Sequence, residues 1–132
     1  MIGARCRTRF DKKSILRKAR SANITSLSHA AAIIRKRARW SIKRSPADRP
    51  AEPGKPVHTR RGLIKRAILY AVDKTRQTAV IGPAYHLAGD VGMVHEHGGK
   101  RYGRRYEKRP FMGPALMKVR DKLPKRWADS VR

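Results

Sequence analysis

Val94-His95-Glu96-His97-Gly98-Gly99, the basic run from Lys100 to Lys108, and Arg109-Pro110-Phe111-Met112-Gly113-Pro114-Ala115-Leu116 decide how this chain folds. This stretch alone is dense in Gly, His and aromatic residues, so backbone geometry rather than side-chain periodicity must set its path. Asp90 is placed to cap a short helical turn over 91–97; the rest of 84–99 reads as irregular. Tyr102 and Tyr106 stand among Arg101, Arg104 and Arg105, as in a mobile loop or a ribbon. Downstream, Pro114 suits the first position of a closing helix. Leu116, Val119, Leu123 and Trp127 then recur at helical spacing, with Pro124 expected to kink or split the last turns.

Working outward, Ala67 to Val72 reads as a strand, with a turn near Lys74 to Gln77 and a return over Thr78 to Ile81 that Gly82-Pro83 ends. A helix continuing from Leu63 to Val72 is the competing reading. Thr59 can cap a short turn through Leu63 to Arg66. Before it, Pro46, Pro50, Pro53 and Pro56 fall within eleven residues, which rules out helix and favours an extended, semi-rigid loop.

Upstream of that loop, Thr25, Ser26 and Ser28 offer N-caps for a helix to about Lys43. Leu27, Ala30, Ala31, Ile34, Ala38 and Ile42 form its narrow apolar stripe. The opposite side carries Arg35, Lys36, Arg37, Arg39, Lys43 and Arg44. Trp40 lies off the stripe and is expected to contact a second element or subunit rather than to stack on a base. Residues 1–24 are a basic N-terminal arm that orders on a partner, or a short helix over Lys12 to Ala22 capped by Asp11. Residues 25–132 then make one domain of α+β class. In it a small antiparallel sheet packs with a long N-terminal helix and a C-terminal helix, linked by long Pro-rich and Gly-rich loops.

The chain has 132 residues, with 34 Lys and Arg against 9 Asp and Glu, a formal charge of +25. Self-repulsion on this scale opposes compaction of an isolated copy and calls for a polyanionic partner, with DNA or RNA ahead of an anionic membrane surface. The single cysteine, Cys6, excludes an internal disulfide and suits a reducing compartment. No apolar run reaches the length of a membrane span or a signal peptide, so synthesis in the cytoplasm is expected.

Catalytic patterns are thin. His95, His97 and His86 do not have His-Glu-x-x-His spacing, and no cysteine supports them. Acids are few and scattered; Gly98-Gly99-Lys100 lacks the full phosphate-loop pattern, and no serine sits in a nucleophile elbow. The expectation is a non-enzyme with no metal and no cofactor. Glu96 would pair with a nearby arginine, and the histidines would hydrogen-bond the backbone.

The order of several segments carries more information than any one of them. An Ala-rich helix and a Pro-rich loop lead to Pro53-Gly54-Lys55-Pro56-Val57-His58-Thr59-Arg60-Arg61-Gly62-Leu63. Ile81-Gly82-Pro83, the His95-Glu96-His97-Gly98 segment and Arg109-Pro110-Phe111-Met112-Gly113-Pro114-Ala115 follow. Over about residues 27–128 this resembles the minor tail component family of tailed bacteriophages, the neck or tail-completion proteins that include lambda Z-like members. Arg61-Gly62 stands where that family usually has Thr-Gly.

The resemblance implies a structural virion protein, made in the host cytoplasm. It would form a ring, often six-fold, at the head–tail junction, joining the connector or stopper to tail-terminator or tail-tube proteins. Its motif residues here are Pro53, Gly54, Arg60, Gly62, Leu63, His95, Glu96, Gly98, Arg109, Pro110, Phe111 and Pro114. Double-stranded DNA passing through such a ring would be held by phosphate contacts without regard to sequence. Arg5, Arg7, Arg9, Arg35, Arg37, Arg39, Arg101, Arg104 and Arg105 are the candidates. The Pro-rich loop and 100–108 are candidates for reaching neighbouring rings. Pro110 would force Arg109 extended, and Phe111 would bury its ring against the sheet and anchor the last helix. The alternative function is a stand-alone, ribosomal-type nucleic-acid-binding protein.

Overall fold

In the computed structural model, which describes residues 9–45, 49–128, 130 and 131, one helix dominates. This helix, α1 (Lys12–Ser41), runs 30 residues without a break. Asp11 caps it, its Oδ1 accepting from the Ser14 N–H at 3.1 Å. The separate helix start expected at Thr25, Ser26 or Ser28 does not occur, because those hydroxyls find partners compatible with helix. Thr25 Oγ1 donates to the Ser21 carbonyl at 3.2 Å and Ser26 Oγ to the Arg126 carbonyl at 2.7 Å. With no Gly or Pro between Lys12 and Ser41, nothing interrupts propagation.

The α1 stripe buries Ala30, Ala31, Ile34 and Ala38, with Ile42 just beyond the helix end; Leu27 is half-buried. The first turns, with Ile15 and Leu16, remain largely exposed. The backbone after α1 returns alongside Thr59, whose N–H donates to the Lys43 carbonyl at 3.0 Å and whose carbonyl accepts from Ser45 N–H at 3.2 Å.

Helix α2 (Leu63–Ala67) feeds directly into β1 (Ile68–Asp73), which pairs antiparallel with β2 (Thr78–Pro83) in the register Ile68↔Pro83 to Asp73↔Thr78. The hairpin is therefore formed, and the helix stops at Ala67 rather than running on to Val72. Its turn is closed by Asp73 Oδ1, which accepts from Thr75 and Arg76 N–H at 2.8 and 3.0 Å. Two short helices follow: α4 (Val91–His97) is the helical turn expected there, and α3 (Tyr85–Ala88) makes part of the segment read as irregular helical. Lys100 to Lys108 is a ribbon: β3 (Gly99–Arg101) pairs antiparallel with β4 (Arg104–Tyr106). The two hairpins are separate two-stranded sheets.

The last helix, α5 (Met112–Val119), packs against α1. It is shorter than the apolar spacing suggested. Two 3₁₀ turns (Arg120–Lys122 and Pro124–Arg126) carry Leu123 and lead to Trp127, with Pro124 opening the second. Asn23 ties this end down: its Oδ1 accepts from Trp127 Nε1 and its Nδ2 donates to Gln77 Oε1, both at 2.7 Å. The core gathers Ala38, Ile42, Val57, Ile64, Ile68, Phe111 and Ala115, so α1, the loop after it, α2, β1 and α5 share one apolar centre. Phe111 has no exposed surface.

Candidate functional site

The start of α5 lacks a capping residue of its own, since Phe111 occupies the N-cap position. Its donors are taken from a distance. Glu96 Oε2 accepts from Phe111 N–H at 2.8 Å and from Met112 N–H at 2.9 Å, and Oε1 accepts from Gly113 N–H at 2.8 Å. The next residue, Pro114, has no N–H. Every orphan donor of the first turn is thereby satisfied or absent, and a carboxylate sits at the positive end of the helix. Pro114 is the third helical residue rather than the first, and Glu96 caps a helix instead of pairing with an arginine.

Arg109 closes the other side of the same junction. Its N–H donates to the His95 carbonyl at 2.7 Å and its Nε to the Ala51 carbonyl at 2.6 Å. Its Nη2 reaches Glu107 at 3.2 Å. Beside it, Gly54 N–H donates to the Lys108 carbonyl at 2.8 Å. Gly98 has φ 72°, and a Cβ there would lie 3.2 Å from Lys108 N and 3.3 Å from Tyr106 O. A left-handed backbone and this close approach both favour Gly. The Pro-Gly loop, the His-Glu-His-Gly segment and Arg-Pro-Phe therefore meet in one hydrogen-bonded knot over the Phe111 core.

Asp90 precedes α4, yet its side chain makes no cap bond; it forms an ion pair with Arg101. The three acids of this region thus have separate structural partners. Asp90 holds Arg101, Glu96 holds backbone, and Glu107 holds Arg109. No group of three or more His, Cys, Asp or Glu residues gathers among the described residues.

Contrary to the backbone bonding expected of it, His95 has its Nδ1 buried without a hydrogen-bond partner, and so does His58. Both rings border a groove of about 710 Å³ that Leu63, Leu87 and Val91 also line. Burial first, then the positive charge of Arg109, hold the His95 pKa below its ordinary value of 6.5. The ring meets Tyr106 edge-on, with centroids 6.3 Å apart.

The remaining motif residues divide by role. Gly62, with φ 75°, is the left-handed N-cap of α2, and its N–H donates to Thr59 Oγ1 at 3.0 Å. Thr59 thus acts one step ahead of the cap expected of it. Pro53, Arg60 and Leu63 are exposed. Asn23, the clamp between the β1–β2 turn and the chain end, carries no local motif; a lone polar residue in a basic helix gives no sign of partners so distant in sequence.

The candidate phosphate-binding arginines are scattered over several elements. Arg5 and Arg7 lie outside the described residues, as does Cys6. Arg9 is exposed just ahead of α1, and Arg104 and Arg105 are exposed on β4. Arg101 is engaged by Asp90, and Arg37 is half-buried. Arg35 and Arg39 border a concavity of about 410 Å³ together with Lys36, Trp40 and Lys65. Trp40 is 64% exposed, so no second element among the described residues covers it. No helix of the described residues is long and apolar enough to cross a membrane. No protein-family model, curated protein or solved structure matches this chain.

Proposed function

We propose that this chain is a structural protein of a tailed-phage virion. It would form a ring at the head–tail junction that joins the connector to the tail, with double-stranded DNA passing through or near its channel. The observation that carries this reading is the knot at Glu96 and Arg109. The segments on which the family resemblance rests are spent on one another: the carboxylate caps a helix, the guanidinium bonds a loop carbonyl, and the glycine permits close backbone approach. Residues used this way hold a shape. Such a role suits a component that works by fitting among neighbours.

The charge supports the same reading. Six copies would carry on the order of six times +25, a repulsion that needs an anionic thread or acidic neighbours to neutralise it. A basic nucleic-acid-binding protein acting alone is the second reading, favoured by the cationic concavity beside Trp40. Imaging of intact particles tests the first directly, with density for this chain expected between capsid and tail. Sizing chromatography at high salt should give a ring-sized species. A persistent monomer that is absent from particles and binds structured RNA tightly would overturn the virion reading in favour of the second.

A further inference from the structure

Arg35, Lys36 and Arg39 share one side of α1, and α2 brings Lys65 to the same concavity. None of these four cations forms an ion pair with an acid among the described residues. Arg35 and Arg39 are also a like-charged pair one helical turn apart, an arrangement that is unfavourable by itself. The cluster is held in place: Arg35 Nε donates to the Ile68 carbonyl at 2.9 Å, which fixes the guanidinium against β1. Lys36 Nζ lies 4.8 Å from the Trp40 ring centroid, and that ring is mostly exposed.

We infer that this concavity binds the sugar–phosphate backbone of a nucleic acid, with Trp40 as the flat surface against which a sugar or base rests. A low-dielectric recess lined by one sign of charge concentrates anions. Arginine supplies a planar fork for phosphate oxygens, and the two lysines supply point charges. An exposed indole between cations matches the alternation of phosphate and flat ring along a strand. A carboxylate-bearing peptide would use the cations and leave the indole idle. The lining contains no Asn or Gln that could read a base edge, so recognition is independent of sequence. This deepens the nucleic-acid part of the preceding proposal by naming where the phosphates sit.

Trp40 is a local reporter. Trp127, the other tryptophan, is replaced in Trp127→Phe; if that variant does not fold, the wild type minus Trp40→Phe difference gives the same signal. The full chain is titrated with a short oligothymidylate, a mixed-sequence duplex, inorganic phosphate and polyglutamate. The expected result is a saturable change of Trp40 emission with oligonucleotide that is lost as salt rises. A larger change with the single strand identifies base stacking, and an equal change with the duplex identifies sugar–phosphate contact; either supports the site. Arg39→Ala with Lys65→Ala should flatten the log K against log salt slope by roughly 1.5. It should also weaken binding at least tenfold more than Lys118→Ala with Lys122→Ala, an equal charge change on exposed residues elsewhere. A Trp40 signal silent to oligonucleotides, one given by polyglutamate alone, or equal weakening by both double variants overturns the inference. A ring-forming protein with a silent Trp40 refutes this site alone. A monomer with a responsive Trp40 refutes the ring alone.

Discussion

Replacing Glu96 tests the knot most directly. In Glu96→Ala the Phe111, Met112 and Gly113 N–H groups lose their acceptor. Gly113 is exposed and water can take over its bond, but the Phe111 and Met112 donors are part-buried. A hydrogen bond to a charged acceptor contributes about 1.5–3 kcal/mol, and a buried donor left unsatisfied costs about as much. Two such donors, partly rehydrated, bring the expected loss to about 3 kcal/mol, beyond the usual cost of losing an N-cap. For a chain of this size that corresponds to a fall in melting temperature of about 10 °C. Glu96→Gln keeps one acceptor oxygen but loses the charge and turns an amide N–H toward the helix donors, so an intermediate loss of about 1–2 kcal/mol is expected. Glu107→Ala is the control: it removes from the adjoining segment a carboxylate that is itself exposed, though its partner Arg109 is not. Arg109 keeps its bond to the Ala51 carbonyl, so a loss of about 1 kcal/mol is expected. Thermal and urea unfolding of the three variants give the ranking. If Glu96→Ala melts with Glu107→Ala, the carboxylate does not hold α5 and the junction argument fails.

Phe111→Ala should cost about 3–5 kcal/mol, because the ring is wholly buried among Ala38, Ile42, Val57, Ile64, Ile68 and Ala115; an unchanged melting temperature would show that α5 is anchored elsewhere. Gly92→Ala would place a Cβ 2.4 Å from Pro83 Cγ, so α4 must move off β2 at a cost of about 1–3 kcal/mol, read as a lower urea midpoint. The His95 pKa is depressed in the folded state, so the unfolded chain takes up the proton first as the pH falls. The His95 contribution to stability is therefore full above its ordinary pKa of 6.5 and is lost as the pH drops from there toward the folded value. Melting curves of wild type and His95→Asn across this range should differ in slope; parallel slopes would contradict the burial of the neutral ring.

Much of the site was out of reach of local reading for one reason: its bonds join segments far apart in sequence. Phe111-Met112-Gly113-Pro114 did hold a clue, since a helix start with no Ser, Thr, Asp or Asn of its own needs an acceptor from elsewhere. Nothing local says that the acceptor is Glu96 rather than any of the other acids. The same limit explains Ser26. Its hydroxyl is equally competent to cap a helix and to sit within one, and its partner is the distant Arg126 carbonyl.

By itself the sequence determined the α+β class, the α4 segment and the excess of positive charge, and it offered the β1–β2 hairpin against a longer helix and the Asp11 cap against an arm ordered by a partner. Each of these follows from periodicity, turn chemistry or composition within a few neighbouring residues. Only the tertiary structure decided that α1 is one uninterrupted rod, that α5 ends at Val119, and that Glu96, Arg109 and Gly54 close a single knot. It also decided which cations share a recess with Trp40. Those outcomes depend on where distant donors, acceptors and charges meet once the core has formed, and that placement is a property of packing.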